Sequence, residues 1–349
     1  MDLAPEQQQS LSLLSLFKES LSIPKRSPQT FYRITLSLLL PLSFAILAHS
    51  VFTHPILSQL HENPSASHAS QWIKLLFYQF CYLIFLVAFS LLSTSAVVFT
   101  VASLYTSKQV SFSSIITALP SILRRLFITF IWVFLSMLAY NAVLSFFIVL
   151  MLIAFESVLM LIAFESKSKN SVALFLVSVF LLSVFFLVVH VYLSALWHLA
   201  SVITVLEPIQ GLTAFKKSYE LLKGKIRMAF VLVLGYLVIF GVISSAFGSI
   251  VVDGGANKDH EGYSVFARIV VGGILIGVLV VVILVGLLVQ SLFYYVCKSY
   301  HNERIEKSAL YNHLGGYLGE YYEPLKGNMQ IDDSLEVEMN GGETARSFL

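Results

Sequence analysis

The sequence predicts an all-α fold, a polytopic membrane bundle of about six transmembrane helices with in-plane amphipathic helices on its cytosolic side. Three observations predict it. Six stretches, Ile34–His61, Leu75–Ser107, Leu126–Phe155, Asn170–Leu206, Met228–Val252 and Ile269–Cys297, contain no Asp, Glu, Lys or Arg. A hydrocarbon layer about 30 Å thick takes roughly 20 residues of helix, and each stretch supplies at least that. Hydrophobic residues make up 57% of the chain and charged ones 12%, against about 45–50% and 25% in soluble domains. Lys and Arg in the successive gaps between runs alternate, 17 falling on one side and 5 on the other. Basic residues stay in the cytosol, so six spans with both termini cytosolic is the consistent arrangement.

Residues 1–33 read as a cytosolic amphipathic segment. Within it Gln8–Ile23 places Leu13, Leu14, Phe17 and Leu21 on one face with Lys18 and Glu19 beside them, and Pro24 is expected to end the helix. Residues 34–298 form the six-span membrane domain, whose first run is too long for a signal-peptide core and reads as a retained anchor. In the first outer loop His54, His61 and His68 recur every seven residues, but Pro55 and Pro64 are expected to break any helix that would align them. No Cys or carboxylate completes a metal site there. Ser111–Arg125, with Phe112, Ile115, Ile116, Leu119, Ile122 and Leu123 apolar, reads as a second in-plane helix interrupted by Pro120. The third span ends in a tandem repeat, since Val149–Ser157 and Val158–Ser166 both read VLMLIAFES. Nine residues are about 2.5 helical turns, so a helical second copy would reverse the facing of everything after it. That copy is expected as a protruding or interfacial turn beyond Glu156. Asn170–Leu206 reads as one long, tilted helix of roughly 55 Å.

The most motif-like segment is Glu207–Lys225, EPIQGLTAFKKSYELLKGK. Pro208 suits the first helical position, Leu212, Phe215, Tyr219 and Leu222 share one face, and Gly224 supplies the stop. Lys216, Lys217, Tyr219, Lys223 and Lys225 are the candidate contacts to anionic lipid or a partner. The alternative is a connector packed on its own bundle. The Ser111 and Pro208 segments occupy matching places, which suggests two diverged copies of a span, in-plane helix, span unit. In the last two spans Gly241 with Ser245, and Gly273 with Gly277, have the small-residue spacing of close helix packing within the bundle. Cys81 and Cys297 fall near opposite membrane faces, so no disulfide is expected. Residues 299–349 form a cytosolic tail with nine acidic and four basic residues, disordered beyond about residue 325 and open to a cytosolic protein partner.

Several stretches carry a family resemblance: Met1-Asp2-Leu3-Ala4-Pro5-Glu6, Pro41–Ser50, Ala195-Leu196-Trp197-His198-Leu199-Ala200-Ser201, Lys217–Gly224 and Leu314–Tyr321. The chain resembles, through about residue 325, a plant family of uncharacterised multi-span membrane proteins, some labelled polyadenylate-binding-protein-binding protein. That label implies a partner and no mechanism. The Ser218-Tyr219-Glu220-Leu221 element followed by Lys223-Gly224 also looks like the membrane domain beside bacterial glycerophosphodiester phosphodiesterases. Their catalytic half is a separate soluble barrel for which this chain has no room, so the likeness implies architecture alone. The repeated VLMLIAFES departs from the family pattern.

Asn141, His190, His198 and Gln290 are the polar groups that hydrocarbon penalises most, and they are the candidate intramembrane residues. Their ordinary role is hydrogen bonding between helices. There is no glycine-rich phosphate loop, HExxH or G-x-S-x-G, so neither an enzyme nor a cofactor is expected, and direct nucleic-acid binding is not expected. The sequence points to a scaffold or lipid-organising protein of the endomembrane or plasma membrane, touching membrane lipids. The alternative is a transporter or channel, which would gather Asn141, His190 and Gln290 in one hydrated cavity.

Overall fold

The computed structural model describes residues 13–62, 68–107, 111–164, 169–255, 264–303 and 307–318. Every regular element among them is helical. The first is α1 (Leu13–Arg26), followed by α2, residues 28–62, in which Pro28–Ile34 and Leu40–Glu62 are joined by the π-helical turn Thr35–Leu39. Then come α3 (His68–Tyr105), α4 (Phe112–Phe164), α5 (Lys169–Leu206) and the short α6 (Leu212–Leu222). The chain continues through α7 (Ile226–Phe247, extended by the π-helical Gly248–Val252), α8 (Val265–Tyr300) and α9 (Lys307–Tyr317). Six helices, α2, α3, α4, α5, α7 and α8, are long and apolar enough to cross a membrane. The chain is therefore an integral membrane protein with an all-α bundle.

Prolines interrupt less than the sequence suggests. Pro24 lies inside α1, Pro55 inside α2 and Pro120 inside α4. In hydrocarbon an unwound turn exposes several unbonded backbone groups, whereas a proline removes one hydrogen bond and lets the helix run on. Three expectations are corrected by this. The helix α1 runs through Pro24 to Arg26 instead of ending there. Ser111–Arg125 is not a separate in-plane helix but the start of α4, capped where Ser111 Oγ accepts from the Ser114 N–H at 3.2 Å. His54 lies on a continuous helix rather than in a broken loop, 3.7 Å from Asp253; the side chains of His61 and His68 lie outside the described residues. The second VLMLIAFES copy also continues as helix to Phe164, giving α4 a length of about 80 Å.

The core is concentrated at one end of the bundle. α8 is its axis, packing on α1, α2, α3, α5 and α7. Buried side chains run from Phe31 to Ala48 on α2, Leu91 to Ala102 on α3, Ile115 to Val133 on α4, Phe186 to Leu206 on α5 and Leu279 to Cys297 on α8. These stretches lie at the ends joined to α1, α6 and α9. The opposite halves expose Trp72, Phe77, Phe80, Phe146, Leu174 and Phe266, which cost nothing in lipid. There α4 and α5 run as a two-helix arm, with Phe155 and Phe175 ring centroids 5.5 Å apart. The expected small-residue seams are not used: a Cβ built on Gly241, Gly273 or Gly277 meets nothing within 4 Å. Close approach between α7 and α8 occurs instead at Gly272 and Gly286. Both cysteines are free thiols, Cys81 exposed and Cys297 buried.

Candidate functional site

The rim of the packed end is built from α1, α6 and α9. Each of the first two buries one stripe and turns large apolar side chains outward. On α1 Leu16, Ser20 and Ile23 are buried while Leu14, Phe17 and Leu21 are exposed. On α6 Ala214, Ser218, Leu221 and Leu222 are buried while Leu212 and Tyr219 are exposed and Phe215 is half-buried. Of the apolar face expected on α6, Leu212 and Tyr219 point outward while Leu222 is buried. The small Ala214 and Ser218 let α6 lie close on its neighbour, and Ser218 Oγ donates to the Leu196 carbonyl of α5 at 2.8 Å. The two helices share a pattern: Leu14, Phe17, Lys18 and Ser20 recur as Leu212, Phe215, Lys216 and Ser218. The segment that matches α6 is thus α1, not the Ser111 stretch.

The five candidate contacts divide. Lys216, Tyr219 and Lys223 are exposed, with the Lys223 ammonium 4.5 Å from the Tyr219 ring centroid. Lys217 is paired with Glu303, and Lys225 lies 4.9 Å from the Tyr300 ring centroid. On α1, Lys18 and Lys25 are exposed beside Leu14 and Leu21.

Between α5 and α6 the chain makes a turn, residues 207–211, rather than the helical start expected at Pro208. Two polar networks fix it. Glu207 Oε1 accepts from Tyr294 Oη at 2.6 Å and Lys298 Nζ at 2.7 Å, both on α8. Arg125 of α4 donates to the Glu207 carbonyl at 2.8 Å, the Ile209 carbonyl at 3.2 Å and Tyr317 Oη of α9 at 2.5 Å. One guanidinium therefore ties α4, the turn and α9 together, using the rigid fork of donors that a lysine lacks. Deeper, the Gly211 N–H donates to Thr129 Oγ1 at 2.8 Å, and Thr129 and Thr204 hydroxyls lie 2.9 Å apart. Because the Thr204 proton goes to the Ala200 carbonyl at 2.9 Å, the Thr129 proton must go to Thr204. At the other end of α6, His301 Nε2 faces the Leu221 and Lys223 carbonyls at 3.2 and 3.0 Å, so that nitrogen carries the proton. Glu207 pairs with Lys298, 91 residues away, and neither this pair nor the contacts of Arg125, Tyr294 and Tyr317 could be joined from local sequence.

Outside the spans, His313 on α9 has its pKa lowered from 6.5, first by burial and then by Arg125, against the Val205 carbonyl and Glu207. Tyr317 is raised from 10.0 by burial, with Arg125 opposing.

The four intramembrane polar residues separate as well. Asn141 is exposed and donates to its own Met137 carbonyl at 2.8 Å. His190 lies against the Tyr140 ring, centroids 5.5 Å apart, and it is Tyr140 that bonds across helices, donating to the Phe186 carbonyl at 3.0 Å. His198 and Gln290 instead line one chamber of about 140 Å³ between α2, α3, α4, α5, α7 and α8. His198 stacks on Trp197, centroids 5.1 Å apart. Among the described residues no group of three or more His, Cys, Asp or Glu side chains is placed to hold a metal.

A family model described as a domain of unknown function (DUF8558) matches residues 1–334. No curated protein and no solved structure matches the chain.

Proposed function

We infer that this chain, which belongs to the family of the domain of unknown function DUF8558, is a non-enzymatic integral membrane protein that organises lipid at the cytosolic face of an endomembrane or plasma membrane. Both termini lie in the cytosol in this reading, with the 17 basic residues of that side against 5 opposite. The observation that supports it is the repeated design of α1 and α6, in which large apolar side chains and lysines face away from the bundle together. Leu14, Phe17, Leu21, Leu212 and Tyr219 enter the boundary between headgroups and acyl chains, while Lys18, Lys25, Lys216 and Lys223 meet anionic headgroups, each worth about 1 kcal/mol. The networks at Glu207 and Arg125 tie the turn before α6 to α4, α8 and α9, which supports α6 in its place on the rim. In this reading the acidic residues beyond about residue 325 meet a cytosolic protein partner. A transporter reading loses its support from Asn141 and His190, which do not line the chamber that holds Gln290.

The test replaces Lys18, Lys25, Lys216 and Lys223 by Gln and measures, with spin-labelled lipids in reconstituted vesicles, selectivity for phosphatidylserine over phosphatidylcholine. The wild-type protein selects the anionic lipid and the variant does not, with unchanged thermal unfolding. Equal selectivity in both overturns the reading.

A further inference from the structure

We propose that the membrane domain holds one uncharged lipid, its hydroxyl-bearing head in the chamber at His198 and Gln290 and its apolar body in the groove between α5, α7 and α8. The site is separate from the lysine rim and does not rest on it.

The groove measures about 390 Å³ and adjoins the chamber, the two sharing His198, Tyr236, Gly286 and Gln290. That volume lies within the roughly 300–1,000 Å³ of small-molecule sites. Away from the shared residues the groove is walled by aliphatic side chains such as Leu199, Val233, Val281 and Val289, and Phe17 of α1 reaches its edge. The chamber adds hydroxyls from Ser90, Ser93, Thr94 and Ser201. The lining of both is thus graded from apolar to polar, the complement of an amphiphile.

Charge selects which amphiphile. Neither cavity is lined by an Asp, Glu, Lys or Arg. A phosphate or carboxylate head placed there would lose its hydration without a counter-ion, whereas a hydroxyl or ester finds donors and acceptors. One of those groups is left without a partner. On α3 the hydroxyls of Ser95, Thr100 and Ser103 each donate to a carbonyl four residues back, at 2.7, 2.6 and 2.8 Å. Ser93, 1% exposed and lining the chamber, makes no hydrogen bond. Among the described residues no hydrogen bond takes up the Gln290 amide or the His198 ring nitrogens either. A ligand hydroxyl in the chamber supplies the missing partner. Gly286 lies at the junction of the two cavities, where a Cβ would stand 3.3 Å from Cε2 of Tyr236 and a larger side chain would take up the shared space.

Glycerides and sterols share this chemistry, and the experiment separates them. Full-length protein in phosphatidylcholine nanodiscs is irradiated with a photoactivatable, clickable diacylglycerol or, in a second arm, a photoactivatable sterol, and adducts are mapped by peptide mass spectrometry. One probe labels the segments around His198, Tyr236 and Gln290 and is displaced by its unlabelled counterpart; which one labels identifies the class. Gln290→Leu and Ser93→Ala each weaken labelling by about fivefold, the effect of losing one hydrogen bond. Gly286→Val abolishes it, and if that variant fails to fold the two milder ones decide. Labelling that matches a photoactivatable phosphatidylcholine, or that is unmoved by Gln290→Leu and Ser93→Ala, overturns the proposal. The fourfold Lys→Gln rim variant retains cavity labelling, so failure of either reading is seen independently of the other.

Discussion

Replacing Glu207 by Gln tests whether the rim depends on a charge that local sequence leaves unpaired. The carboxylate is 17% exposed and its partner Lys298 15%, with 2.7 Å between Oε1 and Nζ. Removing one partner of a fully buried ion pair costs about 3–5 kcal/mol, and a charge-assisted hydrogen bond contributes about 1.5–3 kcal/mol. The amide keeps an acceptor for Tyr294 Oη and leaves the Arg125 bond to the Glu207 carbonyl untouched. The expected loss is therefore in the lower range, about 2 kcal/mol, which is roughly a thirtyfold change in the folded-to-unfolded ratio. Lys298→Met, which strands the carboxylate, costs a similar amount, and the double variant costs less than the two together. The assay is unfolding by sodium dodecyl sulfate in mixed micelles, followed by circular dichroism, with hydrogen exchange of residues 207–211 reporting the local effect. A coupling energy of about 1.5 kcal/mol is expected; additivity within about 0.5 kcal/mol would refute the reasoning, because residues in one network do not add.

His313 makes the docking of α9 depend on pH. A detached α9 binds a proton at the ordinary 6.5, while the docked imidazole resists it. Below about pH 6.5 the detached state thus binds more protons, and docking weakens until the docked ring is itself protonated. Exchange of the Leu310–Tyr317 amides, corrected for intrinsic rate, is expected to speed up on acidification, and His313→Gln to remove the effect; a pH-independent wild type contradicts it. Gly224→Ala strains a residue at φ +86° and drives a methyl group into the Tyr300 ring. Its expected cost is at least about 1–2 kcal/mol from backbone conformation alone. Tyr300→Ala in the same chain is expected to restore only the collision component, and full recovery of thermal stability would show that the backbone carries no strain.

The span count and the all-α class were legible because charge placement is a one-dimensional property. Hydrocarbon excludes charge residue by residue, so Ile34–His61 or Ile269–Cys297 declares itself without any partner. Gly224 was legible for the same local reason, since a helix end that needs positive φ names its residue. The inward faces of α1 and α6 were not. Periodicity gave the correct helices, but a helix at the rim has two apolar environments, protein and lipid. Leu212 and Tyr219 suit lipid as well as Ala214 and Ser218 suit a close neighbour.

What the sequence by itself determined is the solvent of this protein: six charge-free runs, with basic residues gathered at alternate gaps. Only the tertiary structure decided how the polar residues are spent. Arg125, Glu207, Lys298 and Tyr317 converge from four separate stretches of chain, and His198 and Gln290 open on a common chamber while Asn141 and His190 do not. The physical reason is that hydrogen bonds and cavities depend on distances of a few ångströms between helices. In lipid those distances are set by small residues and backbone approach, and hydrophobic pattern does not encode them.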